Sequence, residues 1–259
     1  PRRTRMRDLA AKSEKFLTAR PLTCGQEKGD LMGQEITLAH LRLWMKKYAE
    51  RIKSQELYLT ELDAAIGDAD HGANMRRGTA KICERMAEAD FHFDNISSFL
   101  RAVGMLLISS VGGAAGPLYG AFFLRAAQVE QKDETIHLEE LAAMFRAGLE
   151  GIQQRGKAQV GDKTLVDALQ PAVEALEAAA KQNLSITAAL EAARLAAEAG
   201  MHKTIDMQAN RGRASYLGPR AIGHQDPGAT SLYYLIESAA KSLASSQAAD
   251  QSTTVSRAT

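Results

Sequence analysis

The chain has 259 residues, 45% of them hydrophobic, with 32 basic residues against 31 acidic ones and a formal net charge of +1. That length is enough to bury a full core, and so even a charge balance leaves the main domain no nucleic-acid footprint. Two isolated cysteines, Cys24 and Cys83, make neither a disulfide framework nor a zinc pattern, and no signal peptide is visible, so the expected compartment is the reducing cytoplasm.

Taken in chain order, residues 1–34 hold eight Lys/Arg against four acidic residues, whereas the remainder holds 24 against 27. Pro21, Gly25, Gly29 and Gly33 interrupt any long helix there. Residues 1–35 are therefore expected to be a poorly ordered basic leader or interdomain linker. Beyond them strand patterns are nearly absent, and apolar residues recur at three- and four-residue spacing, as in Leu38, Leu41, Met45, Tyr48 and Ile52. This periodicity predicts helices near 36–59, 73–89, 95–110, 117–129, 137–155, 164–181, 185–200 and 229–245, with a kink at Pro171. Eight amphipathic helices with mostly short connections predict an all-α up-and-down bundle or barrel spanning 36–245. Residues 246–259 are polar and expected to be a disordered tail. The uncharged run 102–124 is split by Ser109-Ser110, Gly112-Gly113, Gly116 and Pro117 into pieces too short to cross a bilayer, so no membrane span is expected.

The stretch Glu61-Leu-Asp-Ala-Ala-Ile-Gly-Asp-Ala-Asp-His-Gly72 brings Asp63, Asp68 and Asp70 within eight residues. Carboxylate oxygens suit hard cations, and three clustered negative charges without a basic neighbour call for one. An EF-hand loop counted from Asp68 would need Glu at its twelfth position, where Thr79 stands. A short, incomplete ligand set instead suits Mg²⁺, which keeps several waters and is shared with substrate phosphates. Solvent-facing helix capping is the competing reading of an Asp-Gly turn.

Ser109-Ser-Val-Gly-Gly-Ala-Ala-Gly-Pro-Leu-Tyr-Gly120 has four glycines between two apolar segments, and Pro117 suits the first turn of the second, a helix. It matches neither a Walker A loop nor a dinucleotide fingerprint. It can seat an anion on free N–H groups or let two helices pack closely, and the sequence leaves both open. Arg155-Gly-Lys-Ala-Gln-Val-Gly-Asp-Lys-Thr164 and the irregular segment Asn210–Thr230 are too specific for scaffolding. Arg213 and Arg220 in the latter are candidates for phosphate contact or for solvated loop cations.

Together these stretches resemble the nucleotide-binding L subunit, or L domain, of dihydroxyacetone kinase. The motifs that carry the resemblance are Ile66-Gly-Asp-Ala-Asp-His-Gly72, Ser110-Val-Gly-Gly-Ala-Ala-Gly-Pro-Leu-Tyr-Gly120, Gly161-Asp-Lys-Thr164, Gly212-Arg-Ala-Ser-Tyr-Leu-Gly218 and Gly223-His-Gln-Asp-Pro-Gly-Ala-Thr-Ser231. The resemblance implies a closed barrel of eight antiparallel helices, with ADP or ATP and two Mg²⁺ held by the loops at one end. It implies Asp63, Asp68 and Asp70 as metal ligands. It places the nucleotide against His71, Gly72, Ala73, Asn74, Ala114, Ala115, Gly156, Leu165, Arg213, Asp226, Pro227 and Gly228. Relatives commonly have Ser where this chain has Ala115, so backbone N–H groups, not a hydroxyl, would meet phosphate here.

The resemblance further implies a phosphotransferase that carries the phosphoryl donor and no acceptor site, the ketose being bound covalently to a histidine of a separate K subunit. The donor is expected to be resident ADP recharged by a sugar-phosphotransferase phosphocarrier. The alternatives are the L domain of an ATP-dependent fused kinase for dihydroxyacetone or another ketose, a non-catalytic nucleotide-binding regulator, and a stand-alone Mg²⁺ phosphohydrolase.

Overall fold

A computed structural model describes residues 35–129 and 134–255, with side chains through Ser242. The expected leader at 1–35 thus lies almost wholly outside the described residues. The described residues belong to one compact unit and are helical, with no strand beyond an isolated antiparallel bridge between Ile36 and Ile136. Among the described residues there are nine α-helices: α1 (Leu38–Ser54), α2 (Glu56–Ile66), α3 (His71–Ala87), α4 (Ile96–Ser110), α5 (Ala115–Ala126), α6 (Leu138–Gly156), α7 (Leu165–Lys181), α8 (Ile186–Lys203) and α9 (Pro227–Val255). Two 3-10 segments, Thr204–Asp206 and Arg213–Ala221, lie between α8 and α9.

Local chemistry fixes four of the helix starts. The side chains of Thr37, Asn95, Thr164 and Ser185 each accept an N–H from the first turn of the helix they precede. The helix predicted over 36–59 is two helices that meet at Gln55, whose N–H is shared between the carbonyls of Arg51 and Ile52. The second of them, α2, continues to Ile66, because Leu59 and Ile66 bury one face and no breaker intervenes before Gly67. Asp63 therefore sits on a helix and not in the turn. At the other end α9 continues through Val255, past the expected boundary at 245; its Ala, Ser and Gln residues offer neither Gly nor Pro to stop it. The helix α7 runs unbroken through Pro171.

Contacts between helices run α1–α3–α4–α5–α6–α7–α8–α9 and return from α9 to α1, with α2 packed on α3 and α9. The core within this circuit is aromatic at its centre. Trp44 stacks on Phe145 at 6.0 Å and donates its indole N–H to Leu235 O at 2.8 Å. Phe122 meets Phe123 and Phe145 edge-on. Each such ring removed from water contributes on the order of 1.5–3 kcal/mol. Helices α4 and α5 approach at backbone distance, since a Cβ on Gly120 would lie 2.3 Å from Ile108 Cγ1 and 3.0 Å from Gly104 O. Close packing is thus one use of these glycines.

Alternation along this circuit has a consequence for the site. Helices α3, α5, α7 and α9 begin, and α2, α4, α6 and α8 end, at the same group of connections, 67–70, 111–114, 157–164 and 204–226. Four N-terminal helix ends, each a partial positive charge with free N–H groups, meet there.

Candidate functional site

Residues from all four connections line one cleft of about 210 Å³. Its acidic side is built by the end of α2 and the start of α3. Between them Ala69 adopts a left-handed φ of 61°, which reverses the chain and sets Asp68 and Asp70 on either side of the turn. Asp63 Oδ2 accepts the N–H groups of Asp70 at 2.8 Å and His71 at 3.1 Å, so it caps α3 from outside that helix. The fit is tight: a Cβ on Gly67 would stand 2.1 Å from Asp63 Oδ1. One carboxylate oxygen from each of Asp63, Asp68 and Asp70 lies within 4.8 Å of the others, with Asp63 buried and the other two exposed.

The charges on these three groups are little compensated. Arg213 Nη1 pairs with Asp68 Oδ2 at 2.9 Å, but that guanidinium is largely in solvent. The Asp70 carboxylate has no hydrogen-bond or ion-pair partner among the described residues. All donors are hard oxygens, and the buried one is already oriented by two N–H groups. The residues present therefore fit a hard divalent cation such as Mg²⁺.

A further side of the cleft is built by the 111–114 connection and the start of α5. No side chain caps α5, leaving first-turn N–H groups beside Ala114 and Ala115 for a ligand. Gly113 holds a φ of +64°, and a Cβ on Gly112 would meet Asn74 Oδ1 at 2.6 Å. Arg77 donates to that oxygen at 2.7 Å and to Ser110 O at 2.9 Å. With its oxygen engaged, Asn74 keeps its amide N–H groups for the cleft. The glycine loop thus serves packing through Gly120, which faces Gly104 of α4, and brings Gly112 and Gly113 to the cleft beside Asn74.

The floor is formed by the start of α9. Asp226 is buried, and its Oδ2 accepts the Ala229 N–H at 2.7 Å. Burial pushes its carboxyl up to about 7, reinforced by Asp167 and Asp63 and opposed by the Ala229 bond and Lys163. His71 Nε2 is 2.9 Å from Ser231 Oγ, which lies 2.8 Å from the Tyr119 hydroxyl. Burial lowers the His71 pKa despite Asp63 and Asp70, favouring the neutral ring. Burial also raises the Tyr119 pKa.

A second cavity of about 390 Å³ adjoins the first and shares Ala114, Leu118, Thr164, Leu165, Arg211 and Gly212 with it. Its further walls are mainly apolar: Pro117, Ile152, Ala158 and Val166, with Arg155 and Gly156. An acidic cleft joined to an apolar slot can hold a molecule with an anionic end, bridged by a cation, and a flat apolar end.

Of the residues anticipated from the sequence, Asp63, Asp68, Asp70, His71, Asn74, Ala114, Ala115, Leu165, Arg213, Asp226, Pro227 and Gly228 line the cleft, and Gly156 lines the adjoining slot. Gly72 and Ala73 do not. A Cβ on Gly72 would lie 2.1 Å from Glu56 O, so Gly72 serves the packing of α3 on α2. Arg220 is exposed and lines neither cavity. The sequence reading assigned no role to Ile66, Tyr119, Lys163, Thr164 or Arg211, all of which line the cleft. For Lys163 and Thr164 the signal is the Gly161-Asp-Lys-Thr164 stretch. Tyr119 belonged to the glycine loop.

Among known proteins, the DAK2 domain matches residues 65–241. The chain is 51% identical, over 75% of its length and 91% of the relative's, to the ADP-binding subunit DhaL of the PEP-dependent dihydroxyacetone kinase of Escherichia coli. It is 43% identical to the corresponding PTS-dependent subunit of Lactococcus lactis, over 75% and 92%. The dihydroxyacetone kinase of Citrobacter freundii is 33% identical over 72% of this chain but 32% of its own. The crystal structure of the C. freundii kinase in complex with AMP-PNP and Mg²⁺ superposes with a TM-score of 0.62 at 28% identity, covering 86% of this chain and 38% of that one.

Proposed function

The chain belongs to the DAK2-domain family of dihydroxyacetone kinase nucleotide-binding subunits, and on that premise we propose that it is the Mg²⁺-nucleotide half of a two-part kinase. Asp63, Asp68 and Asp70 would hold two Mg²⁺ ions with the nucleotide, and the γ-phosphoryl group of the ATP formed from resident ADP would pass to dihydroxyacetone bound on a separate K subunit, leaving ADP in place. A phosphocarrier of the sugar phosphotransferase type recharges the resident ADP. The observation that carries this reading is the joining, in one cleft, of an under-compensated carboxylate triad with the uncapped start of α5. A cytoplasmic setting fits, and no helix among the described residues is long and apolar enough to cross a membrane.

Phosphoryl transfer asks a protein chiefly for positioning and charge neutralisation. When bound, the metal supplies neutralisation of the phosphate oxygens. The chain's own residues do the rest. Asp63, pinned by two N–H groups, fixes one metal-facing oxygen; Asp68 and Asp70 complete the set from the turn. The N–H groups at Ala114 and Ala115 receive phosphate oxygens, and the Asn74 amide adds a donor. The apolar slot beside Leu118, Leu165 and Ile152 takes the base. Higher identity to the separate subunits, over nearly their whole length, supports the phosphocarrier-dependent form over the ATP-dependent one.

The test is a mixing experiment. Alone, the purified chain should leave dihydroxyacetone unphosphorylated; with a K subunit and a charged phosphocarrier it should support phosphorylation. Ketose phosphorylation by the isolated chain would refute the division of labour.

A further inference from the structure

A lysine in a phosphate-sized cleft invites the role of a phosphate ligand, and Lys163 lines this one. Its surroundings say otherwise. The side chain is 1% exposed, and its Nζ donates to the carbonyls of Thr204 at 2.7 Å, Ala221 at 2.8 Å, Met207 at 3.1 Å and His224. An ammonium has three N–H donors, and four carbonyl oxygens already share them. None remains for a phosphate.

The four acceptors have a pattern. Thr204 and Met207 lie before the segment 208–220, and Ala221 and His224 lie after it, so one ammonium ties both ends together. The Gly223 N–H donates to Ile205 O at 2.7 Å across the same base. Between these points the chain carries Arg211, Gly212, Arg213 and Ala214 to the cleft wall. The backbone of Lys163 itself is left-handed, with φ 61°, a conformation unfavourable to a non-glycine residue. That cost is borne just before the N-terminus of α7, where Thr164 and Asp167 lock the turn: Asp167 accepts N–H groups from Gly161 at 2.6 Å and Thr164 at 2.7 Å.

We propose that Lys163 is a positioning residue, a pin that gathers both ends of the 208–220 segment onto the start of α7 and so holds that segment against the nucleotide cleft. The pin exists without nucleotide. Its effect on nucleotide retention rests on the function proposed above.

Two experiments test it, the first on the unaltered protein. Under reductive methylation of the folded chain, followed by mass spectrometry, Lys163 should stay unmodified both without nucleotide and with ADP and Mg²⁺. A lysine that methylates in the free protein and is shielded by ADP would be a phosphate ligand, and the proposal would fall. This arm holds whether or not the variant below folds. In the second, Lys163→Met keeps the side-chain length and removes the donors. Amide hydrogen exchange should then rise across 208–220 while α4 to α6 keep wild-type protection, with no nucleotide present. ADP should dissociate about tenfold faster or more, while with a K subunit the saturated rate changes less than the ADP concentration that gives half of it. Unchanged exchange across 208–220 would overturn the pin. Raised exchange with unchanged ADP release would leave the pin intact and count against the nucleotide reading instead.

Discussion

The two walls of the cleft are built by opposite strategies. The acidic wall is local: Asp63, Asp68, Asp70 and the start of α3 are within nine residues, fixed by a helix end, one left-handed residue and two backbone bonds to one carboxylate. The 204–224 wall is long and irregular, and its shape depends on a lysine about 40 to 60 positions away in sequence. A short wall of this kind can be rigid without help. A long one needs an anchor, because closing its ends costs loop entropy that only interactions at the base can offset.

If the comparison holds, damage to the acidic wall should be severe and confined to ligand binding. Asp68→Asn removes a full ligand charge from an exposed position and should weaken Mg²⁺-dependent ADP retention by at least about 100-fold, since losing even an outer partner of a metal ligand costs roughly 10- to 100-fold. Circular dichroism should stay helical. ADP bound at wild-type level in calorimetry would break the metal assignment.

On the long wall the effect should be smaller. Arg213 pairs with Asp68, and under the proposed function it is a charge that this segment would offer to phosphate. Arg213→Ala should speed ADP release about ten- to a hundredfold, corresponding to about 1.5–3 kcal/mol for a charge-assisted hydrogen bond. Release kinetics with a fluorescent ADP analogue check this, and equal off-rates would remove Arg213 from the site.

The last effect, on stability and not on ligand binding, concerns the floor between the walls. Asp226 has its carboxyl raised to about 7 by burial, above its ordinary value of 3.8. The folded state therefore holds this proton where the unfolded chain releases it, so this group's contribution falls as pH rises from about 4 to about 7 and is level above. Asp226→Asn keeps an oxygen for the Ala229 N–H and removes that slope. The melting temperature of the variant relative to the wild type, without metal or nucleotide, should climb between pH 5 and pH 7.5. A difference that stays flat would mean Asp226 is ionised throughout.

The same contrast explains what was legible. The helices announced themselves through apolar spacing, because amphipathic faces are local properties; the caps Thr37, Asn95, Thr164 and Ser185 are equally local. The triad was legible for the same reason. The break at Gln55 was not, because neither Gly nor Pro marks it and only a shared N–H at that residue separates α1 from α2. Nor could the sequence assign Lys163 its role, since all four of its acceptors come from distant backbone. The bonds of Ser231 to His71 and Tyr119 were hidden likewise, joining α9 to α3 and α5.

The most direct test of the account is native mass spectrometry of the purified full chain loaded with ADP, before and after excess chelator. With the acidic wall acting through metal, the chain should carry ADP together with Mg²⁺ and lose both on chelation, and the Asp68→Asn protein should carry neither. ADP that stays bound at undiminished occupancy after the metal is stripped would contradict it.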